Sequence, residues 1–92
     1  MTLRQDILVA FDTPSDGRRR RFTRLLSRYG VRVQRSVFRL SGSAREVQRL
    51  REALERVADH GEDLLLMTVV ASGTWWQVGG VQVLEVPLVV SF

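Results

Sequence analysis

Ninety-two residues provide one domain with one hydrophobic core and exclude a second. An apolar fraction of 45% with 26% charged residues is too apolar for disorder and too interrupted for a membrane span, and the absence of cysteine excludes disulfides and cysteine-ligated metal centres. All fourteen basic side chains are Arg and the formal net charge is +4, which points to a polyanionic partner, nucleic acid being the commonest.

The N-terminus lacks a basic segment followed by an apolar stretch and a small-residue cleavage site, so a cytoplasmic protein is expected. Ile7–Phe11 is a continuous apolar run that ends in Asp12 and Thr13-Pro14. It predicts a strand buried on both faces and stopped by turn chemistry. From Ser15 or Asp16 to Tyr29, the positions Phe22, Leu25, Leu26 and Tyr29 have helical spacing, and Gly30 suits a left-handed C-terminal cap. Val31 and Val33 then alternate with polar residues, but the apolar parity changes at Phe38 and Leu40. The chain must turn or bulge near Ser36, which separates a second strand from a third.

Ser43 with Glu46 is a capping box for a second helix, whose core stripe is Val47, Leu50, Leu54, Val57 and Ala58 and whose end falls near His60-Gly61. Leu64–Ala71 predicts a fourth strand, Ser72–Gly80 a loop, and Val81–Val86 with Leu88–Phe92 one or two terminal strands around Pro87. The order is therefore βαββαβ with an extension over residues 72–92. Right-handed crossovers turn it into an α+β, ferredoxin-like sandwich with both helices on one face of an antiparallel sheet. Strands one and four are apolar on both sides, so the other face needs a cover. A second copy of the chain is the simplest one, giving a homodimer in which the terminal strand, through Leu88 and Val90, is exchanged onto the partner's sheet edge.

Asp12 is the most informative residue. It either starts the turn or caps the first helix, or it is a metal ligand. One carboxylate is a poor magnesium or manganese site, but a two-fold dimer brings two copies together if Asp12 lies near the axis. Arg20, Arg21, Arg24 and Arg28 fall opposite the helix's apolar stripe, while Arg18 and Arg19 flank it at the end nearest Asp12. Cations in a first turn oppose the helix dipole, and Asp16 alone offsets them in sequence, which favours phosphate contact over a merely solvated face. Trp75 and Trp76 suit an interface better than base stacking, and the lone His60 complements the second helix's dipole without a catalytic role.

Phe11-Asp12-Thr13, the Arg cluster, Tyr29-Gly30 and Arg32-Val33-Gln34-Arg35-Ser36-Val37-Phe38 resemble the CRISPR-associated protein two family over roughly residues 6–70. The resemblance implies a ferredoxin-like homodimer that acts as a metal-dependent nuclease on single-stranded RNA or double-stranded DNA. It also implies a scaffold for the integrase subunit that inserts spacers into a CRISPR array. By position, Asp12 would be the metal-binding catalytic acid at the dimer interface, and Arg19, Arg21, Arg32 and Phe38 would handle nucleic acid. A ferredoxin-like toxin or regulatory RNA-binding domain outside CRISPR immunity is the alternative.

Overall fold

A computed structural model describes residues 4–71 and 74–79. The elements follow in the order β1 (Arg4–Asp12), α1 (Asp16–Ser27), β2 (Gly30–Gln34), β3 (Val37–Ser43), α2 (Ala44–Val57) and β4 (Leu64–Val70). The strands form one sheet in the order β2-β3-β1-β4, antiparallel throughout, so the fold is the expected ferredoxin-like sandwich with β1 in the interior. The terminal strands expected over 81–86 and 88–92, with Leu88 and Val90, lie outside the described residues.

Strand periodicity sorts β1 into two rows. Ile7, Val9 and Phe11 point into the core, where they meet Phe22 and Leu26 of α1 and Leu50 and Leu54 of α2. Phe11 sits 5.3 Å from Phe22 in a tilted ring contact and 6.4 Å from Phe38. The other row, Asp6, Leu8, Ala10 and Asp12, shares the helix-free face with Val37 and Arg39 of β3 and with Leu64, Leu66 and Thr68 of β4, as the pairing register requires. β1 is therefore buried on the helix side and only half-buried on the other, rather than enclosed on both faces. On β4, Leu64 and Leu66 are 54% and 57% exposed, which is the uncovered apolar surface the sequence led us to expect.

Local signals explain the helix starts. Ser15 caps α1 by accepting from the Arg18 amide. Ser43 and Glu46 exchange the two bonds of a capping box at α2. The ends differ from expectation. α2 stops at Val57, where Ala58 turns extended, and Asp59 organises the following turn by accepting from the amides of Gly61 and Glu62. α1 ends at Ser27, and the Arg28 and Tyr29 amides bond back to Leu25 and Leu26 within a right-handed last turn.

Gly30 is accordingly not a left-handed cap, since Gly79 is the one positive-φ glycine among the described residues. It is a β2 residue paired with Leu40, and a Cβ there would lie 2.0 Å from the Arg39 carbonyl oxygen and 2.7 Å from the Leu40 Cα. Glycine is needed for close approach of two backbones. The parity switch is a turn at Arg35-Ser36 preceded by a bulge between Arg32 and Gln34.

Because backbone atoms cannot step aside as a flexible side chain can, Gly30→Ala should cost about 3 kcal/mol or more, at the upper end of overpacking effects. Urea unfolding would check this, and an unchanged midpoint would contradict the close-approach account.

Candidate functional site

The candidate residues Asp12, Arg18 and Arg19 collect where β1 passes into α1. Asp12 is the last residue of β1, is exposed, and lies opposite Leu64 in the β1–β4 register. It does not cap the helix, because Ser15 does that and the buried Thr13 holds the turn by accepting from the Ser15 amide at 3.1 Å. Among the described residues, no donor or cation pairs with the Asp12 carboxylate. The capping reading of Asp12 is thus corrected. A cleft of about 270 Å³ opens beside it, lined by Phe11, Asp12, Thr13, Arg19, Arg35 and Ser36. The Phe11 amide donates to the Ser36 carbonyl at 3.0 Å, which fastens the β2–β3 turn against the end of β1 and brings Arg35 to the cleft. No local pattern singled out Arg35; only the β1–β3 register places it there.

The arginine cluster divides into two groups. Arg18 forks onto Asp63, with Nε to Oδ2 at 2.7 Å and Nη2 to Oδ1 at 3.1 Å, and Nη2 also reaches Glu62 Oε1 at 2.8 Å. Arg19 pairs with Asp16 and donates from Nη2 to the Thr13 carbonyl at 2.8 Å. Arg18 is therefore committed to an internal bidentate pair, the geometry that best suits a guanidinium, rather than free for phosphate. Its offsetting acids lie 44 and 45 residues away and could not be seen from the helix's own sequence. By contrast, Arg20, Arg21, Arg24 and Arg28 are exposed and carry no ion pair among the described residues, and Arg32 is exposed on the edge strand β2. Phe38 is 0% exposed and packs beneath Phe11 in the core, so it supports the strand end and makes no direct nucleic-acid contact. Trp76 is 83% exposed, whereas Trp75 lies against the helix-free face with its ring 4.4 Å from the Arg39 guanidinium carbon.

Asp63 is the hub of this junction. Its side chain is fully buried and accepts from Arg18, from the Thr13 hydroxyl and from the Asp59 amide at 2.9 Å. These bonds, that from Arg18 first, hold its carboxyl down to about 2 against the opposing effect of desolvation. Arg18 is raised in return, chiefly by its hydrogen bond to Asp63. The carboxylate thus ties together the start of α1, the residue after Asp12 and the loop leading into β4. Asp12 is the one carboxylate that lines the cleft, and no group of three or more His, Asp or Glu side chains placed to hold a metal ion occurs among the described residues. Nor is any helix among them long and apolar enough to cross a membrane.

Residues 5–78 match the family model described as CRISPR associated protein Cas2. The chain belongs to this family. It is 35% identical over 86 residues to the CRISPR-associated endoribonuclease Cas2 of Thermus thermophilus, covering 88% of this chain and 92% of that one. A second protein of that species, CRISPR-associated endonuclease Cas2 2, is 43% identical over 63 residues, 68% of this chain and 70% of its own. Among solved structures, a hypothetical protein from Thermus thermophilus superimposes with a TM-score of 0.78 at 36% identity, covering 85% of this chain and 95% of that one. Streptococcus pyogenes Cas2, at 24% identity and TM-score 0.73 over 80% of this chain and 99% of its own, shares the fold. The resemblance carried by residues 6–70 is thus a family relationship, and Asp12, the Arg cluster and the β2–β3 segment all lie within the matched Cas2 region.

The Asp63 clamp has a pH signature. A carboxylate whose folded pKa lies below its unfolded value stabilises the fold above the unfolded pKa, and that contribution is lost as pH falls through the folded one. Stability should therefore decline as pH falls from about 4 through 2, the interval between the ordinary carboxylate value and that of Asp63. Asp63→Asn should be less stable at neutral pH and should lack this part of the acid transition. Thermal melts across pH would show it, and an identical acid limb in wild type and variant would remove the clamp from the account.

Proposed function

We propose that this Cas2-family chain is a CRISPR adaptation subunit that works as a homodimer, holds double-stranded DNA for the integrase subunit, and carries a metal-dependent phosphodiesterase centre built from two Asp12 carboxylates. The observation that carries this reading is the position of Asp12. It is an exposed carboxylate with no partner among the described residues, at the end of an interior strand, in a cleft flanked by Arg19 and Arg35. The names borne by the relatives, endoribonuclease and endonuclease, agree with nuclease chemistry.

A single carboxylate without accompanying His or acidic ligands suits a hard cation that keeps most of its water, which is the habit of magnesium and also accommodates manganese. A second Asp12 from a facing copy would complete the pair. When bound, such an ion polarises the phosphodiester and supplies an acidic water, chemistry that the chain's own side chains lack. The protein's part is orientation. Asp12 holds the cation, while the Arg19 and Arg35 guanidiniums face the negative charge of the phosphodiester. Arg19 is itself steadied by its bonds to Asp16 and the Thr13 carbonyl.

The helix-free face supports the dimer. Leu64 and Leu66 are uncovered there. A second copy laid against this face would bury the leucines and bring its own Asp12 to the same surface, since Asp12 shares the row of Ala10 and Leu8. Exposed Arg20, Arg21, Arg24 and Arg28 on the opposite layer suit contact with phosphate without base readout.

Cleavage of labelled single-stranded RNA and double-stranded DNA with magnesium or manganese tests the centre. Asp12→Ala should lower metal-dependent cleavage by more than about 100-fold, beyond what loss of an outer-shell partner costs a metal site. DNA retention should persist. Equal cleavage by both proteins would end the nuclease assignment and leave a DNA-holding scaffold. Leu64→Asp with Leu66→Asp should give a monomer by light scattering that has also lost cleavage. A monomer that still cleaves at the wild-type rate would show that paired carboxylates are not required.

A further inference from the structure

The helical layer carries a second set of arginines that lies apart from Asp12. α1 and α2 run antiparallel, since each follows one of the antiparallel strands β1 and β3, and they pack side by side on the sheet. Phe22 and Leu26 mark the buried side of α1, and Leu50 and Leu54 that of α2. Successive residues turn by about 100°, which fixes where every other side chain leaves each helix.

On α1, Arg18 reaches Glu62 and Asp63 just beyond the end of α2, so the Arg18 flank is the one turned toward α2. Arg21 and Arg28 lie on that same flank, roughly 100–120° from the buried stripe, and both are exposed. On α2, Gln48, Arg51 and Glu55 line the groove beside β4. The opposite flank, toward α1, carries Arg49, with Arg56 and then Arg45 lying progressively nearer the outward crest, all exposed. The two rows therefore border one outward furrow between the helices.

The arginines of this furrow are among those that make no ion pair, as are Arg20, Arg24, Arg32 and Arg35 among the described residues. Arg4, Arg18, Arg19, Arg39 and Arg51 have acidic partners. No ion pair is made by Arg21, Arg28, Arg45, Arg49 or Arg56 among the described residues. Arg45 and Arg49, one turn apart, oppose each other by a few tenths of a kcal/mol. Glu52, on the crest of α2 next to this row, accepts from Gln48 and makes no ion pair with these arginines among the described residues. Five like charges along one furrow call for an external polyanion.

We propose that Arg45, Arg49 and Arg56 of α2, with Arg21 and Arg28 of α1, form a phosphate-binding track that takes the backbone of double-stranded DNA along the furrow between the helices, on the face of the sheet away from Asp12. The track rests on the reading that the chain handles nucleic acid, and it locates the duplex. Its α2 row runs over eleven residue steps, about 16 Å, close to five base-pair steps of a duplex. Guanidiniums in this arrangement contact backbone oxygens and read no bases, so affinity is independent of sequence and steeply dependent on salt. Retention of DNA and chemistry at Asp12 then occupy opposite faces of one domain.

The test is binding of the full chain to a labelled duplex by fluorescence anisotropy, as a function of salt. The triple variant Arg45→Ala, Arg49→Ala and Arg56→Ala should bind at least about tenfold more weakly at low salt, with a log–log salt slope shallower by about 2–3. Arg and Ala are both strong helix formers, so its thermal midpoint should stay close to wild type. A matched pair of single variants removes the difference in net charge. Arg49→Ala should reduce the slope by about 0.9, whereas Arg51→Ala, on the β4 flank, should leave it unchanged. Asp12→Ala should keep the full wild-type slope. A triple variant with wild-type affinity and slope, or equal effects of Arg49→Ala and Arg51→Ala, would overturn the track while leaving nucleic-acid binding elsewhere on the chain intact. Failure of the wild type to bind any duplex would overturn the track and the nucleic-acid reading together.

Discussion

Strand β1 is hydrogen-bonded on both sides, to β3 and to β4, and its alternation of side chains governs both layers of the molecule. Ile7, Val9 and Phe11 are held beneath the two helices and form the centre of the core. The intervening residues are consigned to the opposite face. A period of two leaves no freedom in this respect, because a slip of one residue would expose the core row and bury Asp12. The acid therefore lies on the uncovered face as a consequence of the same pattern that builds the core. The β2–β3 turn, tied to β1 through the Phe11 amide and Ser36 carbonyl, carries Arg35 to the same end.

The arginines perform two different tasks. Arg18, with Asp63 and Glu62, joins the start of α1 to the loop before β4, and Arg19 secures the Thr13 carbonyl. These bonds fix the backbone immediately after Asp12. Apart from Arg51, which pairs with Glu55, the remaining arginines of the helical layer stand in solvent without acidic partners among the described residues, and they give that layer its positive surface. A guanidinium suits both tasks, since it stays charged when half-buried and its planar fork matches a carboxylate as well as a phosphate. One group is spent inside the fold and the other is left at its surface.

The features legible in the sequence depend on neighbours a few residues apart. The Ser43–Glu46 capping box, the helical stripe of Phe22, Leu25, Leu26 and Tyr29, the turn near Ser36 and the alternating order of strands and helices all satisfy their bonds locally or by simple periodicity. The motif around Asp12 and the Arg cluster was equally visible. Gly30 shows where such reasoning stops. Its position after a helix suggests a cap, but its necessity comes from the backbone of Arg39 across the sheet.

What only the tertiary structure decided was the partner of each charged side chain. Arg18 reads in sequence as one of a run of four cations that favour phosphate, and its commitment to Asp63 arises because antiparallel helices bring the end of one beside the start of the other. Arg35 enters the cleft through strand register, and the α2 arginines join those of α1 through helix packing. Phe38, which family resemblance places among nucleic-acid residues, is wholly buried. Sequence alone determined the elements, their order and the chemistry available, since hydrogen bonding and periodicity act over short separations. The pairing of charges is a long-range property, set by which surfaces the packed core brings together.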